Sequence, residues 1–306
     1  MNILITGCAG FIGSHLAEEL LKDKKNTIIG IDNLSSGNKE NLELINSFDE
    51  YNNFLFIKAD IRDFYELTKI IKNHNIQYIY HLAAIASVQI SIRNPLLSNE
   101  VNVKGTLNVL EASKQNGVKR IVFSSSAAVY GDENSVLKSE KTPTKPISSY
   151  GYEKLISEYH MKLYNDQYNL ETVILRYFNV FGERQNTNSN YSGVITIFND
   201  KFKNNEIPNI YGDGEQYRDF IYVKDIVKIT IKAMNIQNIS GELFCVGSSK
   251  KTTINELFNL MNKKYNKNFK ANYLKTKNGD IKKSICDNSK LMSTFNIKLS
   301  KIDNFI

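Results

Sequence analysis

The chain has 306 residues, 42% of them hydrophobic and 23% charged, with 16 Gly, only 4 Pro and no Trp. That composition excludes disordered, collagen-like and mucin-like classes, and no apolar run reaches the roughly 18 residues that a membrane-crossing helix needs. The formal net charge of +7 comes from lysines spread along the whole sequence, so neither nucleic acid nor a membrane surface is an expected partner.

Met1 to Gly7 reads directly into a strand and turn, without the basic and apolar regions of a signal peptide, so the cytoplasm is the expected location. Short apolar runs rich in β-branched residues predict strands at 2 to 6, 27 to 31, 54 to 58, 77 to 82, 118 to 123 and 171 to 176. Between them, amphipathic stretches predict helices at 11 to 24, 63 to 73, 94 to 116 and 147 to 168. Each strand therefore returns to a parallel sheet by a crossover, and right-handed crossovers give an α/β, Rossmann-type doubly wound fold with ligands at the carboxyl ends of its strands. After about residue 180 the alternation fails. Residues 1–178, with a returning segment near 221–246, form the expected main domain, while 179–220 and 247–306 form a smaller C-terminal region over the sheet's carboxyl edge. The three cysteines, Cys8, Cys245 and Cys286, are far apart and suggest small buried hydrophobes rather than a disulfide framework or a metal site.

Gly7, Gly10 and Gly13 fall between the first strand and the first helix, with Phe11 and Ile12 opening that helix. Glycines there allow a tight turn, close approach of backbone N–H groups to a pyrophosphate, and close helix–strand packing. Asp32 follows the second strand, about 20 residues on, where a carboxylate accepts hydrogen bonds from a ribose and repels a 2′-phosphate, favouring NAD over NADP. Asp60 and Ile61 repeat the arrangement after the third strand, as candidates for the adenine. After the fourth strand, Leu82, Ala83 and Ala84 are small enough for a dinucleotide to lie across them, whereas His81 reads as a hydrogen-bonded structural residue.

Tyr150 and Lys154 stand four residues apart, on one face of a predicted helix. The same spacing occurs at Tyr65/Lys69 and Tyr273/Lys277, and only context separates the three. The pair at 150/154 follows the strand ending in Ser124, Ser125 and Ser126, at the sheet edge where a nicotinamide would lie. A free phenol titrates near a pH of about 10, and a neighbouring ammonium favours phenolate, which suits Tyr150 to act as a base. Lys154 could also hold the nicotinamide ribose, and Ser126 could hydrogen-bond the substrate hydroxyl.

Taken together, the stretches Thr6 to Gly13, Asp32 to Gly37, Asp60 to Asp63, His81 to Val88, Asn102 to Thr106, Ser124 to Gly131 and Tyr150 to Lys154 resemble the extended short-chain dehydrogenase/reductases. Within them the chain resembles the nucleotide-sugar epimerases, over essentially its full length. The resemblance implies Ser126 as the catalytic serine, and Asn33, Ser36, Gly37, Asn102 and Ser124 as cofactor contacts. It also implies Ser87 and Val88 on the substrate side. Arg176 to Gly182 resembles a stretch in which Tyr177 and Phe178 border the nicotinamide and Asn179 contacts the diphosphate. Arg218 matches a phosphate-binding arginine, Tyr211 an aromatic residue that packs on uracil, and Val194 a further substrate contact. Where the family has an RPGD segment, this chain has Lys277-Asn278-Gly279-Asp280, so Lys277 keeps the charge of that arginine without its bidentate fork. Asp280 completes the substrate set.

The related dehydratases carry a Thr-Asp-Glu triplet where this chain has Ser126-Ala127-Ala128, and the related uronate decarboxylases also carry an acid there, which argues against both reactions. The implied activity is NAD-dependent 4-epimerisation of a UDP-sugar through a transient 4-ketose. Ser284 falls on the position that gates room for the sugar's 2-substituent, and its small side chain implies that an N-acetyl group fits. UDP-N-acetylglucosamine and UDP-N-acetylgalactosamine are thus the implied pair, with UDP-glucose and UDP-galactose as further substrates. The alternatives are a nucleotide-sugar 4-dehydrogenase or 4-ketoreductase, an epimerase acting on another nucleotide sugar such as a UDP-uronate, and a non-catalytic sensor. No metal is implied. In the family the helices near 94 to 116 and 147 to 168 form a dimer face, so a homodimer is expected. Family members commonly run further than this chain does after Lys290, which leaves an abbreviated final helix as an expectation.

Overall fold

The structure is a computed structural model that describes residues 1–185, 193–276 and 284–306. Its frame is a seven-stranded, wholly parallel sheet of β1 (Asn2–Thr6), β2 (Thr27–Asp32), β3 (Phe54–Lys58), β4 (Tyr78–His81), β5 (Arg120–Ser126), β6 (Glu171–Tyr177) and β7 (Leu243–Val246). The spatial order is β3-β2-β1-β4-β5-β6-β7. Order reverses between β1 and β4, which opens a crevice at their carboxyl ends. Side chains of β1 alternate between two cores. Ile3 and Ile5 join Leu16 and Ala17 of α1 (Phe11–Leu21), whereas Leu4 joins Ile29, Ile79 and Ile121 on the opposite face.

Four differences from the sequence reading bear on the site. A helix that the periodicity did not reveal, α2 (Lys39–Phe48), is capped by Asn38 and buries Leu42 and Ile45. The expected continuous helix over 94–116 is instead Pro95–Asn99, a π turn over Glu100–Lys104, and α4 (Gly105–Gln115). Before it, Val88–Arg93 forms one further short helix. Strands β5 and β6 run longer than predicted, to Ser126 and Tyr177.

Beyond α3 (Phe64–Asn73), the catalytic side is set by α5 (Ser149–Tyr168), whose Glu158 forms a bidentate pair with Arg176 of β6 and also accepts from Ser125. The chain returns to the sheet through α7 (Val223–Asn235) and β7, after α6 (Val194–Lys203). The smaller region packs Phe198 and Phe202 of α6 against Phe258 of α8 (Ile254–Lys264), and the last helix is α9 (Ser289–Phe295). All three cysteines are free and buried, as the sequence suggested. Among the described residues no helix is long and apolar enough to cross a membrane, and no cluster suited to a metal ion occurs.

Candidate active site

The crevice begins where β1 turns into α1. Gly7 has φ +76°, and a Cβ there would lie 2.8 Å from the Ala83 nitrogen. A Cβ on Gly13 would lie 2.1 Å from the Gly7 carbonyl oxygen, so only glycine lets α1 pack this closely. Gly10 stands at the N-cap, and no side chain caps the helix. The first N–H groups of α1, from Phe11, Ile12 and Gly13, therefore keep the positive end of the helix dipole available to an anion.

At the end of β2, Asp32 accepts from the N–H groups of Ala9 at 3.1 Å and Leu34 at 2.8 Å, and burial raises its carboxyl. Gly37 packs so closely that an added Cβ would meet the Asp32 carboxylate at 2.8 Å, and Ser36 precedes it in the same loop. Asn33 donates to Asp60 at 2.8 Å, and Arg62 forks the same carboxylate through Nε at 3.0 Å and Nη2 at 2.8 Å. Hydrogen bonding from Arg62 above all holds Asp60 down to about 2, and the Asn33 amide on the same carboxylate ties the end of β2 to that of β3. Ile61 is buried against Gly105. A cradle that side chains would fill, an uncapped helix start and an acid at the end of β2 fit a dinucleotide.

At the other end of the crevice Ser126 closes β5 and accepts from the Ala128 N–H at 3.1 Å. Gly151 of α5 approaches so near that a Cβ would lie 2.6 Å from the Ala128 carbonyl oxygen, and Tyr150 comes near enough to Ser126 for that hydroxyl to favour its phenolate. Lys154 is buried, donates to the Ser124 carbonyl at 2.7 Å and lies 4.7 Å above the Phe123 ring. Of the other two pairs with the same spacing, Tyr65 is 84% exposed and Tyr273 52% exposed, so burial separates Tyr150 from both.

The electrostatics differ from the sequence reading. Burial raises the Tyr150 phenol, the Ser126 hydrogen bond opposes that, and the Glu153 carboxylate adds to it. Burial lowers the Lys154 ammonium to about 8, against the pull of Glu158 and then Glu153. With Lys154 held on a carbonyl and its Nζ 6.0 Å from the Tyr150 ring centroid, desolvation outweighs the expected lowering of the phenol. His81 is the structural residue the sequence suggested. It lies between Thr6 at 2.7 Å and Thr106 at 3.0 Å, and burial takes it down to about 3.

Three further residues of the expected cofactor side take the following places. Tyr177 ends β6, but its side chain alternates into the core with Val173 and Leu175, and its hydroxyl meets Thr230 of α7 at 2.6 Å. Its ring therefore lies in the core, and its backbone ends the strand. Phe178 is likewise buried, beside Tyr130, Cys245 and Cys286. Asn102 occupies the π turn and spends its amide on Ile85 and Glu153.

On the substrate side, Asn179 donates to the Asp219 carbonyl at 3.0 Å. The Asp219 carboxylate, fully buried, accepts from the N–H groups of Ser248 at 2.6 Å, Ser249 at 2.9 Å and Cys286 at 3.0 Å. It joins two distant chain segments, at 248–249 and at 286, to its own behind Arg218, a role that sequence reasoning missed because its partners are distant in sequence. Arg218 and Tyr211 are half-buried, the former with Nη1 3.0 Å from the Tyr217 carbonyl. Val194 opens α6. Ser87 caps the helix Val88–Arg93, while Leu82, Ala83 and Ala84 line the end of β4, where the Thr6 hydroxyl receives the Ala83 N–H at 3.2 Å. Ser284 is half-buried, one residue before the short strand Ile285–Cys286. Lys277 and Asp280 lie outside the described residues.

Residues 3–247 match the NAD dependent epimerase/dehydratase family. The chain belongs to that family. Membership brings NAD as the cofactor and epimerase-type hydride chemistry as the class of reaction. The chain is 34% identical over 291 residues to a UDP-glucose 4-epimerase of Mycolicibacterium smegmatis, covering 95% of this chain and 91% of that one. A Thermotoga maritima UDP-glucose 4-epimerase structure with UDP-glucose superposes with a TM-score of 0.92 at 36% identity, covering 99% of this chain and 95% of that one. A Methanobrevibacter ruminantium UDP-N-acetylglucosamine 4-epimerase in complex with UDP-N-acetylmuramic acid gives 0.92 at 40% identity, covering 99% and 94%.

Proposed function

We propose that this chain interconverts UDP-sugars that differ at C4, taking UDP-N-acetylglucosamine and UDP-N-acetylgalactosamine and accepting UDP-glucose and UDP-galactose as well. The observation that carries the reading is the buried Tyr150 and Lys154 of one helical turn gathered beside Ser126 at the carboxyl end of β5, in the crevice that the glycine turn opens. NAD, when bound, supplies the acceptor and then the donor of the C4 hydride. Tyr150 takes the proton of the C4 hydroxyl, and Ser126 holds that oxygen as it becomes a ketone. Lys154 keeps a positive charge that favours the phenolate before it takes that proton, and holds the nicotinamide ribose. The 4-ketose turns about its diphosphate link, presents its other face, and Tyr150 returns the proton.

In this reading residues 1–178 with the segment near 221–246 hold NAD, and 179–220 with 247–306 hold the UDP-sugar. Asp32 binds the adenosine ribose, Arg218 and Lys277 the diphosphate, and Tyr211 the uracil. Ser284, small and half-buried, leaves room for the 2-acetamido group. The product is an activated sugar of the kind polysaccharide assembly consumes, and the cytoplasm is the compartment we assign. A homodimer is supported by the face formed by α5 and the segment before α4, where Tyr159 is 64% exposed and Leu96 81%.

The test is to incubate the purified protein with UDP-N-acetylglucosamine, with no nicotinamide cofactor added, and follow the products by NMR. The C4 epimer is expected, and Ser284→Tyr should suppress its formation while sparing UDP-glucose turnover. A strict requirement for added NAD(H) with net oxidation or reduction would point instead to the dehydrogenase or ketoreductase reading.

A further inference from the structure

Glu153 lies three residues after Tyr150 and one before Lys154, and it is 3% exposed. Its Oε2 accepts from Ser98 Oγ at 2.7 Å and from Asn102 Nδ2 at 2.7 Å. Asn102 in turn grips both backbone groups of one residue. Its Oδ1 accepts from the Ile85 N–H at 2.8 Å, and its Nδ2 donates to the Ile85 carbonyl at 3.2 Å. Ile85 directly follows Leu82, Ala83 and Ala84, the stretch across which the dinucleotide would lie. Two serines complete the seam. Ser157 donates to the Asn102 carbonyl at 3.0 Å, and Ser91 accepts from the Tyr150 N–H at 3.1 Å.

A carboxylate at such a place is costly to desolvate, and an apolar side chain would fill the space with less penalty. Its presence is explained by what it fixes. The π turn at Glu100–Lys104 inserts one residue into the helical path and is the kind of local irregularity that clusters at functional sites. Asn102, within it, is the group that both Glu153 and Ile85 engage. We propose that Glu153 is a positioning residue, which locks the Tyr150–Lys154 turn of α5 to the Ile85 loop through Asn102, so that proton acceptor and cofactor crevice keep one mutual geometry. The proposal rests on the reading of Tyr150 and Lys154 as the catalytic pair.

The test uses the full chain with its bound cofactor and two readouts, steady-state kinetics and amide exchange of residues 82–91. In Glu153→Ala, kcat should fall about tenfold with KM within about twofold, and exchange over 82–91 should quicken about tenfold, since two buried charge-assisted bonds are lost. Glu153→Gln, whose amide oxygen can accept the same two bonds, should recover most of both losses. Should Glu153→Ala fail to fold, Ser98→Ala removes one of the two bonds and should show both effects at about threefold. Unchanged exchange and unchanged kcat in the alanine variant, or a rise in KM alone, would overturn the proposal. If wild type does not epimerise, the catalytic reading fails by itself, while the exchange measurement still decides whether Glu153 holds the loop.

Discussion

Tyr150 and Lys154 each titrate where burial has moved them, in opposite directions. The phenol is raised and must lose its proton to act as a base, so kcat/KM should climb with pH on the acid side. The ammonium is lowered to about 8, so its charge is present below that pH and lost as pH rises through it. Above about 8 the loss of that charge cancels the continuing gain in phenolate, so kcat/KM is expected to rise with pH up to about 8 and then level off. A profile that keeps climbing a full pH unit above that point would show that the Lys154 charge is not needed. Tyr150 itself was legible in the sequence only through its neighbours, because its spacing to lysine recurs twice more. What the sequence could not show was that two of the three tyrosines are exposed.

The glycine turn, Asp32 and most of the parallel strands could be read from composition and periodicity, because each is a local pattern with a local cause. The π turn could not, since one inserted residue leaves the 3.6-residue periodicity of the flanking helices almost unaltered. The direction of the Tyr177 ring was not legible either: the strand was expected to end at residue 176, and one more residue of alternation points that ring into the core. Asp219 was within a recognised stretch, yet its task depends on Ser248, Ser249 and Cys286, which only the fold brings to it. Replacing it as Asp219→Asn turns a donor toward backbone N–H groups that need an acceptor. We expect a loss of about 2 to 4 kcal/mol in denaturant unfolding, with weakened UDP-sugar binding as the segments at 248–249 and 286 loosen from it. A change below about 0.5 kcal/mol would show that this hub does not hold them.

Over the whole molecule, the charge of +7 needs no polyanionic partner. A few of its cations, Lys154 and Arg218 among the described ones, stand at the crevice and the region above it. Its apolar surface is more telling. On α5, Tyr152, Ile156, Tyr159 and Leu163 are all exposed, at the spacing of one helical face. Tyr159→Glu should convert the expected dimer to a monomer in analytical ultracentrifugation; a monomeric wild type, or a dimer that survives the change, would reassign that face. The central claim is that one carbon loses a hydride and recovers the same hydride, while Tyr150 handles only the hydroxyl proton. It is tested most directly with UDP-N-acetylglucosamine deuterated at C4, incubated with the protein in ordinary water and analysed by NMR and mass spectrometry. The account predicts that the C4 epimer forms with its deuterium retained at C4; loss of that label to solvent during epimerisation would contradict it.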